Sequence, residues 1–250
     1  MAAEDKLVQD FLIYKIGSLC AISGVIWIFR DTIRYHTFQR FFAWIMNKIT
    51  FRLNRGLKKY KTKVFQFVHE YQESVNKDLR ILEVGAGTAA NLAFLPSNTK
   101  LVCLDPNPHF VSYIKKNLKQ HDTVISAEIL HGYAEDMPLE NDSFDVVVCT
   151  LVMCSVKDME MSLQEIKRVL KKGGLYVFLE HVGAEKNTWR WISQCIMNPF
   201  HWTFGDGCEV KRETEKVIKE AGFSHVYMEK FYPKAMPFWC KPCILGSATK

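Results

Sequence analysis

From Arg80 to Phe231, short apolar runs alternate with longer stretches whose apolar positions recur at helical spacing. Strands apolar along their whole length, separated by amphipathic helices, belong to a mostly parallel sheet covered on both faces. The strand candidates are Arg80–Gly85, Lys100–Asp105, Ala127–Gly132, Phe144–Thr150, Gly174–Glu180 and His225–Phe231. Helical stretches lie at Ala90–Phe94, Pro108–Gln120, Met159–Leu170 and Arg212–Ala221, and the joints ("LPSNTK", "LKKGG", "EAGF") carry turn residues. The pattern predicts an α/β, doubly wound sheet whose ligand sits at the carboxyl ends of the first and fourth strands. Fold alone does not name that ligand.

The first strand runs into "GAGTAAN", Gly85 to Asn91. Gly85, Gly87 and Ala90 satisfy the dinucleotide template, with Asp105 at the expected distance to hold a ribose. Four neighbours favour S-adenosylmethionine instead. Glu83 suits the cationic ammonium of a methionyl tail and would repel a pyrophosphate, although it could also cap the loop's own amides. Asp105, in "LDPNPHF" with Pro106 and Asn107, can accept both ribose hydroxyls, each such charge-assisted bond being worth roughly 1.5–3 kcal/mol, which marks an adenosine nucleoside without choosing between the two cofactors. In "HGYAEDMP" Tyr133 precedes Ala134, which leaves room for an adenine ring, and Glu135 or its backbone can read the ring's edge. Thr150 ends the fourth strand and faces the methionyl portion. Last, an amphipathic helix closes on Lys171-Lys172-Gly173-Gly174 before the next strand, the double glycine ending the helix; it counts toward S-adenosylmethionine only through its resemblance to the same position of class I methyltransferases. For Ala89 a negative φ is expected, because a left-handed alanine costs roughly 1–2 kcal/mol.

These segments resemble the class I S-adenosylmethionine-dependent methyltransferases over residues ~75–232. "LEVGAGTAANLAFLP", "VCLDPNPHF", "DVVVCTLVMCSV" and "FGDGCEVKRET", in that order behind an apolar N-terminus, look like the methyltransferase-like family seven proteins, regarded as microsomal and lipid-droplet-associated alkyl thiol S-methyltransferases. The resemblance implies a seven-stranded, mostly parallel Rossmann-like sheet with an N-terminal membrane-associated helical segment. It also implies S-adenosylmethionine as cofactor and a small, apolar thiol as acceptor. A lipid or quinone-like acceptor is the nearest alternative, and a non-catalytic lipid-droplet or membrane interaction protein is a third.

The N-terminus carries the membrane reading. Phe11–Phe29 holds 19 residues with one charge, Lys15. As a helix it would measure about 28 Å, close to the bilayer's hydrocarbon thickness. Ten Lys/Arg follow between Arg30 and Lys63, offset only by Asp31. That asymmetry predicts an anchor, spanning or shallow, in the endoplasmic reticulum membrane with everything beyond it cytosolic. Phe38, Phe41, Phe42, Ile45 and Ile49, with Trp44 nearby, suggest an interfacial helix, or one packing on the soluble domain. Residues 1–60 are accordingly read as anchor and interfacial helix, and 61–250 as the methyltransferase domain. The basic residues belong beside the anchor, so nucleic acid is not expected as a partner, and no obligate protein partner is inferred.

The eight cysteines scatter through apolar segments, as reduced thiols do. "CKPC" at Cys240–Cys243 lacks a second ligand pair, so no metal site is read there. Candidate catalytic residues lie beyond the fifth strand. His181 stands at its carboxyl end, and Asp206 lies in "NPFHWTFGDGCEVKRET" with His201, Cys208 and Arg212. Each has a plain alternative: a wall residue, a turn, a buried thiol or a salt bridge. Trp189, Trp191, Phe200, Trp202 and Phe204 could cover an apolar acceptor pocket or face a membrane.

Overall fold

The computed structural model describes residues 37–250 together with 14, 15, 17 and 18. The expected anchor, Phe11–Phe29, therefore lies almost wholly outside the described residues. No described helix is long and apolar enough to cross a membrane. The chain divides into residues 1–41 and 42–250.

The larger unit is built on a seven-stranded sheet of order β3-β2-β1-β4-β5-β7-β6. Its strands are β1 Arg80–Val84, β2 Thr99–Asp105, β3 Val124–His131, β4 Phe144–Thr150, β5 Leu170–His181, β6 His225–Phe231 and β7 Cys243–Thr249. β1 to β5 pair in parallel, and β7 runs antiparallel between β5 and β6. The order reverses between β1 and β4, which opens a crevice at their carboxyl ends.

Alternation along the strands loads both faces. Ile81, Leu101, Cys103, Val146, Val148, Val177 and Leu179 point to one side. They pack under α1 (Gln39–Val75) through Leu57, Val64, Phe65 and Val68, and under α2 (Val111–Leu118) through Ile114. Leu82, Val84, Val147, Cys149, Tyr176 and Phe178 point to the other. There they meet Leu163, Ile166 and Val169 of α3 (Met159–Val169) and Ile218 of α5 (Thr214–Glu220). Between β5 and α5 stands α4 (Trp189–Phe204).

Four expectations change. The catalytic unit starts at Phe42 rather than at residue 61, because Ala43 and Leu57 of α1 are fully buried in its core. Gly56 lets that helix touch the segment before β7: an added Cβ would lie 2.2 Å from the Ala235 Cβ. The helix expected at Ala90–Phe94 is only a 3-10 turn, Leu92–Phe94, since Leu95 precedes Pro96 and is extended. α3 stops at Val169, and Lys171-Lys172-Gly173-Gly174 belongs to β5, where it forms a bulge against β4. β7 and α4 were not anticipated. Gly246, Ser247 and Ala248 weaken the strand signal of β7, and α4, although its apolar stripe has helical spacing, carries Pro199 inside it.

Candidate cofactor and acceptor site

The loop after β1 makes three left-handed residues in alternation, Gly85 (φ 61°), Gly87 (φ 54°) and Ala89 (φ 55°). Two are glycines for different reasons. A Cβ on Gly85 would come within 2.6 Å of Val152, whereas above Gly87 nothing lies closer than 3.9 Å, leaving open space where a ligand passes. The negative φ expected at Ala89 is not found. Its methyl is buried in the core, and its N–H donates to Ala86 O at 2.8 Å, so packing and a turn hold the residue in a costly conformation. Ala89→Gly should be neutral within about 1 kcal/mol, strain relief being offset by a lost buried methyl and a freer unfolded chain. Ala89→Val should destabilise by about 2 kcal/mol or more, because a β-branched residue fits this region poorly. Denaturant unfolding of both variants checks this, and equal stabilities would contradict it.

Asp105 ties the loop to β2. One carboxylate oxygen accepts from Gly87 N and the other from Asn107 N, each at 2.8 Å, and each keeps a lone pair for a hydroxyl. Burial pushes this carboxyl up to about 6, against the pull of those two amides. Glu83, also buried, accepts from Asn91 Nδ2 at 2.7 Å through one oxygen, while its Oε2 has no partner. Burial pushes Glu83 up to about 7. The Asn91 amide also donates to Thr150 Oγ1 at 2.9 Å, which places Thr150 in the same network.

The sequence reading missed the cation of this site. Lys61, one of the ten basic residues assigned to the membrane flank, is buried and donates to Asn91 Oδ1 at 2.6 Å and Asn54 Oδ1 at 2.7 Å. Burial pushes it down to about 8, with Glu83 pulling the other way. Asn54 Nδ2 in turn donates to Ala90 O at 2.7 Å, so α1 fastens the loop from above. Nothing marked Lys61 in the sequence, because a lysine in a basic helix looks solvated.

The residues expected on the adenine side lie in the turn after β3. Ala134 is buried beside exposed Tyr133, whose ring carries Lys157 Nζ at 4.9 Å. Glu135 has one oxygen committed to the amides of Lys157 and Asp158. Pro106 and Asn107 follow β2, and Asn107 Nδ2 lies 3.4 Å from Asp206 Oδ2. Asp206 thus stands at the β2 side of the crevice, where its charge helps raise Asp105. Of the other candidates, Arg212 donates to the carbonyls of Met153 and Val156, and His201 Nε2 accepts from Trp239 Nε1 at 2.8 Å. Both are thereby structural. Glu180, fully buried, accepts from Val152 N and Met153 N and holds the turn that presses on Gly85.

His181 ends β5 with its Nε2 3.3 Å from Cys208 Sγ. Its Nδ1 is buried without a hydrogen-bond partner. Cys154, from the turn after β4, completes the group. A hydrogen bond from Cys208 and the charge of His181 hold the Cys154 thiol well below its usual range, and the bond to Cys154 pushes Cys208 up.

This geometry separates the two cofactors. A dinucleotide would need a helix N-terminus behind the loop for its pyrophosphate, and only a three-residue 3-10 turn stands there. Glu83, with an unpartnered buried oxygen, suits an ammonium, while open Gly87 and Asp105 suit a ribose. The family model described as a methyltransferase domain matches residues 82–178. The chain is 36% identical over 213 residues to thiol S-methyltransferase TMT1B of Homo sapiens, covering 85% of this chain and 87% of that one. It is 34% identical to thiol S-methyltransferase TMT1A of Homo sapiens, with the same coverage. The chain belongs to the family of the TMT1A and TMT1B methyltransferases. It is an S-adenosylmethionine-dependent methyltransferase. Its fold is also that of a putative sarcosine dimethylglycine methyltransferase from Galdieria sulphuraria, at TM-score 0.60 and 14% identity, over 77% of this chain and 85% of that one. In this family member Glu83 would hold the methionyl ammonium, Asp105 the ribose, and Tyr133 and Ala134 the adenine. When bound, S-adenosylmethionine supplies a methyl group on a sulfonium, open to in-line attack.

Proposed function

We propose that the enzyme methylates the sulfur of a small, apolar thiol at a membrane surface. The kinship with enzymes named thiol S-methyltransferases carries this reading. The chemistry is consistent with it. Only a few per cent of an ordinary thiol is thiolate at neutral pH, yet thiolates are strong nucleophiles, so alignment and modest help with the proton suffice. The acceptor end offers that help through the polar group of His181, Cys154 and Cys208.

Apolar surfaces support the membrane part. α4 exposes Trp189, Ile192, Ile196, Phe200 and Phe204, spaced three or four residues apart along one stripe. On α1, Trp44 and Phe51 are exposed among Lys48, Arg52 and Arg55, a pattern of helices lying in a bilayer interface. We place the catalytic unit on the cytosolic side of the endoplasmic reticulum membrane, with lipid droplets as a second surface.

Product analysis tests the acceptor. Full-length protein given S-adenosylmethionine and simple alkyl thiols should yield methyl thioethers. Protein that binds S-adenosylmethionine but methylates only quinols or lipids would overturn the thiol assignment. Deleting residues 1–30 should release the protein from microsomes.

A further inference from the structure

Three soft donors from three separate segments converge at the carboxyl end of β5. Cys154 lies in the turn after β4, His181 closes β5, and Cys208 follows α4. One ligand atom of each lies within 4.8 Å of the other two. As neutral groups they are poorly satisfied. His181 Nδ1 has no partner, and the two thiols and His181 are partners chiefly of one another, Cys154 Sγ adding only long contacts to Leu151 O and Ser155 Oγ at 3.6 Å. Buried donors that satisfy chiefly one another form a set that an ion seated among them would hold more strongly.

The donor set says which. Two thiolates and one imidazole are ligands for a soft or borderline ion, taken by Zn2+ at roughly 2.0–2.3 Å. Ligand atoms around a tetrahedral ion of that size stand roughly 3.3–3.8 Å apart. The 3.3 Å between His181 Nε2 and Cys208 Sγ already matches, and the remaining spread closes with small side-chain shifts. Glu180 next door is occupied by backbone amides, so no carboxylate biases the cluster toward a hard cation. The sequence hides the site because its ligands stand 27 residues apart, from Cys154 to His181 and again to Cys208, with no Cys-x-x-Cys pair among them.

We propose that Cys154, His181 and Cys208 bind a Zn2+ ion in a three-ligand site whose fourth position takes the acceptor sulfur as thiolate. The fourth-position role rests on the thiol reading above; the metal site does not. The acceptor R–SH binds with loss of its proton to solvent. Its sulfur lone pair then forms the new S–CH3 bond as the methyl–sulfonium bond breaks, that electron pair staying on the departing sulfur. The neutral thioether product is a weak ligand and leaves.

Full-length protein purified in detergent under reducing conditions should carry about one Zn2+ per chain by mass spectrometry of its metal content. His181→Ala and Cys208→Ala should each lower that content at least about tenfold, with circular dichroism and S-adenosylmethionine binding retained. Cys208 is half-buried and tolerates replacement better than Cys154. Co2+ in place of zinc should give thiolate-to-cobalt charge-transfer absorption that shifts when an alkyl thiol is added. Folded protein that takes up neither ion, or metal content unmoved by both variants, would overturn the site. A cobalt spectrum indifferent to thiols, or full thiol methylation by metal-free enzyme, would overturn the fourth-position role and leave the thiol reading standing. Zinc-loaded enzyme inactive on thiols would instead overturn the thiol reading, and with it the fourth-position role, while sparing the metal site.

Discussion

Asp105→Ala is expected to weaken S-adenosylmethionine binding about a hundredfold or more. Two charge-assisted hydrogen bonds to the ribose are lost, each worth roughly 1.5–3 kcal/mol, and tenfold in affinity is about 1.4 kcal/mol. The same change frees the amides of Gly87 and Asn107 that the carboxylate now holds. A pH dependence accompanies this. Burial sets the ligand-free Asp105 at about 6 and Glu83 at about 7. The ribose hydroxyls and the methionyl ammonium both favour the charged carboxylates, so binding lowers both values. Affinity is therefore full above about pH 7 and falls as pH drops, first through Glu83 and then through Asp105. Asp105→Asn should flatten the lower limb and Glu83→Gln the upper. Calorimetric titration across this range checks both; equal binding by wild type and Asp105→Ala would remove the ribose assignment.

Lys61→Met is expected to be the most destabilising single change at the site. Lys61 and Glu83 are buried opposite charges joined through the Asn91 side chain, so removing the cation should cost up to about 3–5 kcal/mol, the range for breaking a direct buried pair, because Glu83 stays buried with its charge less compensated. For a unit of this size that lowers Tm by roughly 6–20 °C. Glu83 can escape part of the penalty by taking up a proton. Without Lys61 its folded pKa rises above the already raised value of about 7, further from its unfolded value. A raised carboxyl favours the folded state at low pH and disfavours it as pH rises, so the loss should be larger at pH 8 than at pH 6. Lys61→Met combined with Glu83→Gln should recover most of the stability but not cofactor affinity. Thermal unfolding at the two pH values decides it, and an equal Tm for wild type and Lys61→Met would show that the pair carries no net stabilisation.

Much of the site was legible because local chemistry marks it. Glu83 at a strand end, two glycines at near-contact positions and Asp105 one strand later each carry their reason in the sequence. Lys61, Asn54 and Asn91 carry none. They are ordinary helix or loop residues until α1 folds over the loop and removes water from around them. Ala89 shows the same limit from the other side: propensity argued for a negative φ, and burial of its methyl outweighed that preference.

By itself the sequence determined the alternation of strands and helices, and with it the α/β class and the crevice at the ends of β1 and β4. Apolar periodicity and turn residues act over a few positions, and they suffice for that. Only the tertiary structure decided where α1 joins the catalytic unit, that Lys61 balances Glu83, and that Cys154, His181 and Cys208 meet. Those groupings rest on desolvation and contact between residues dozens of positions apart, which no local pattern encodes.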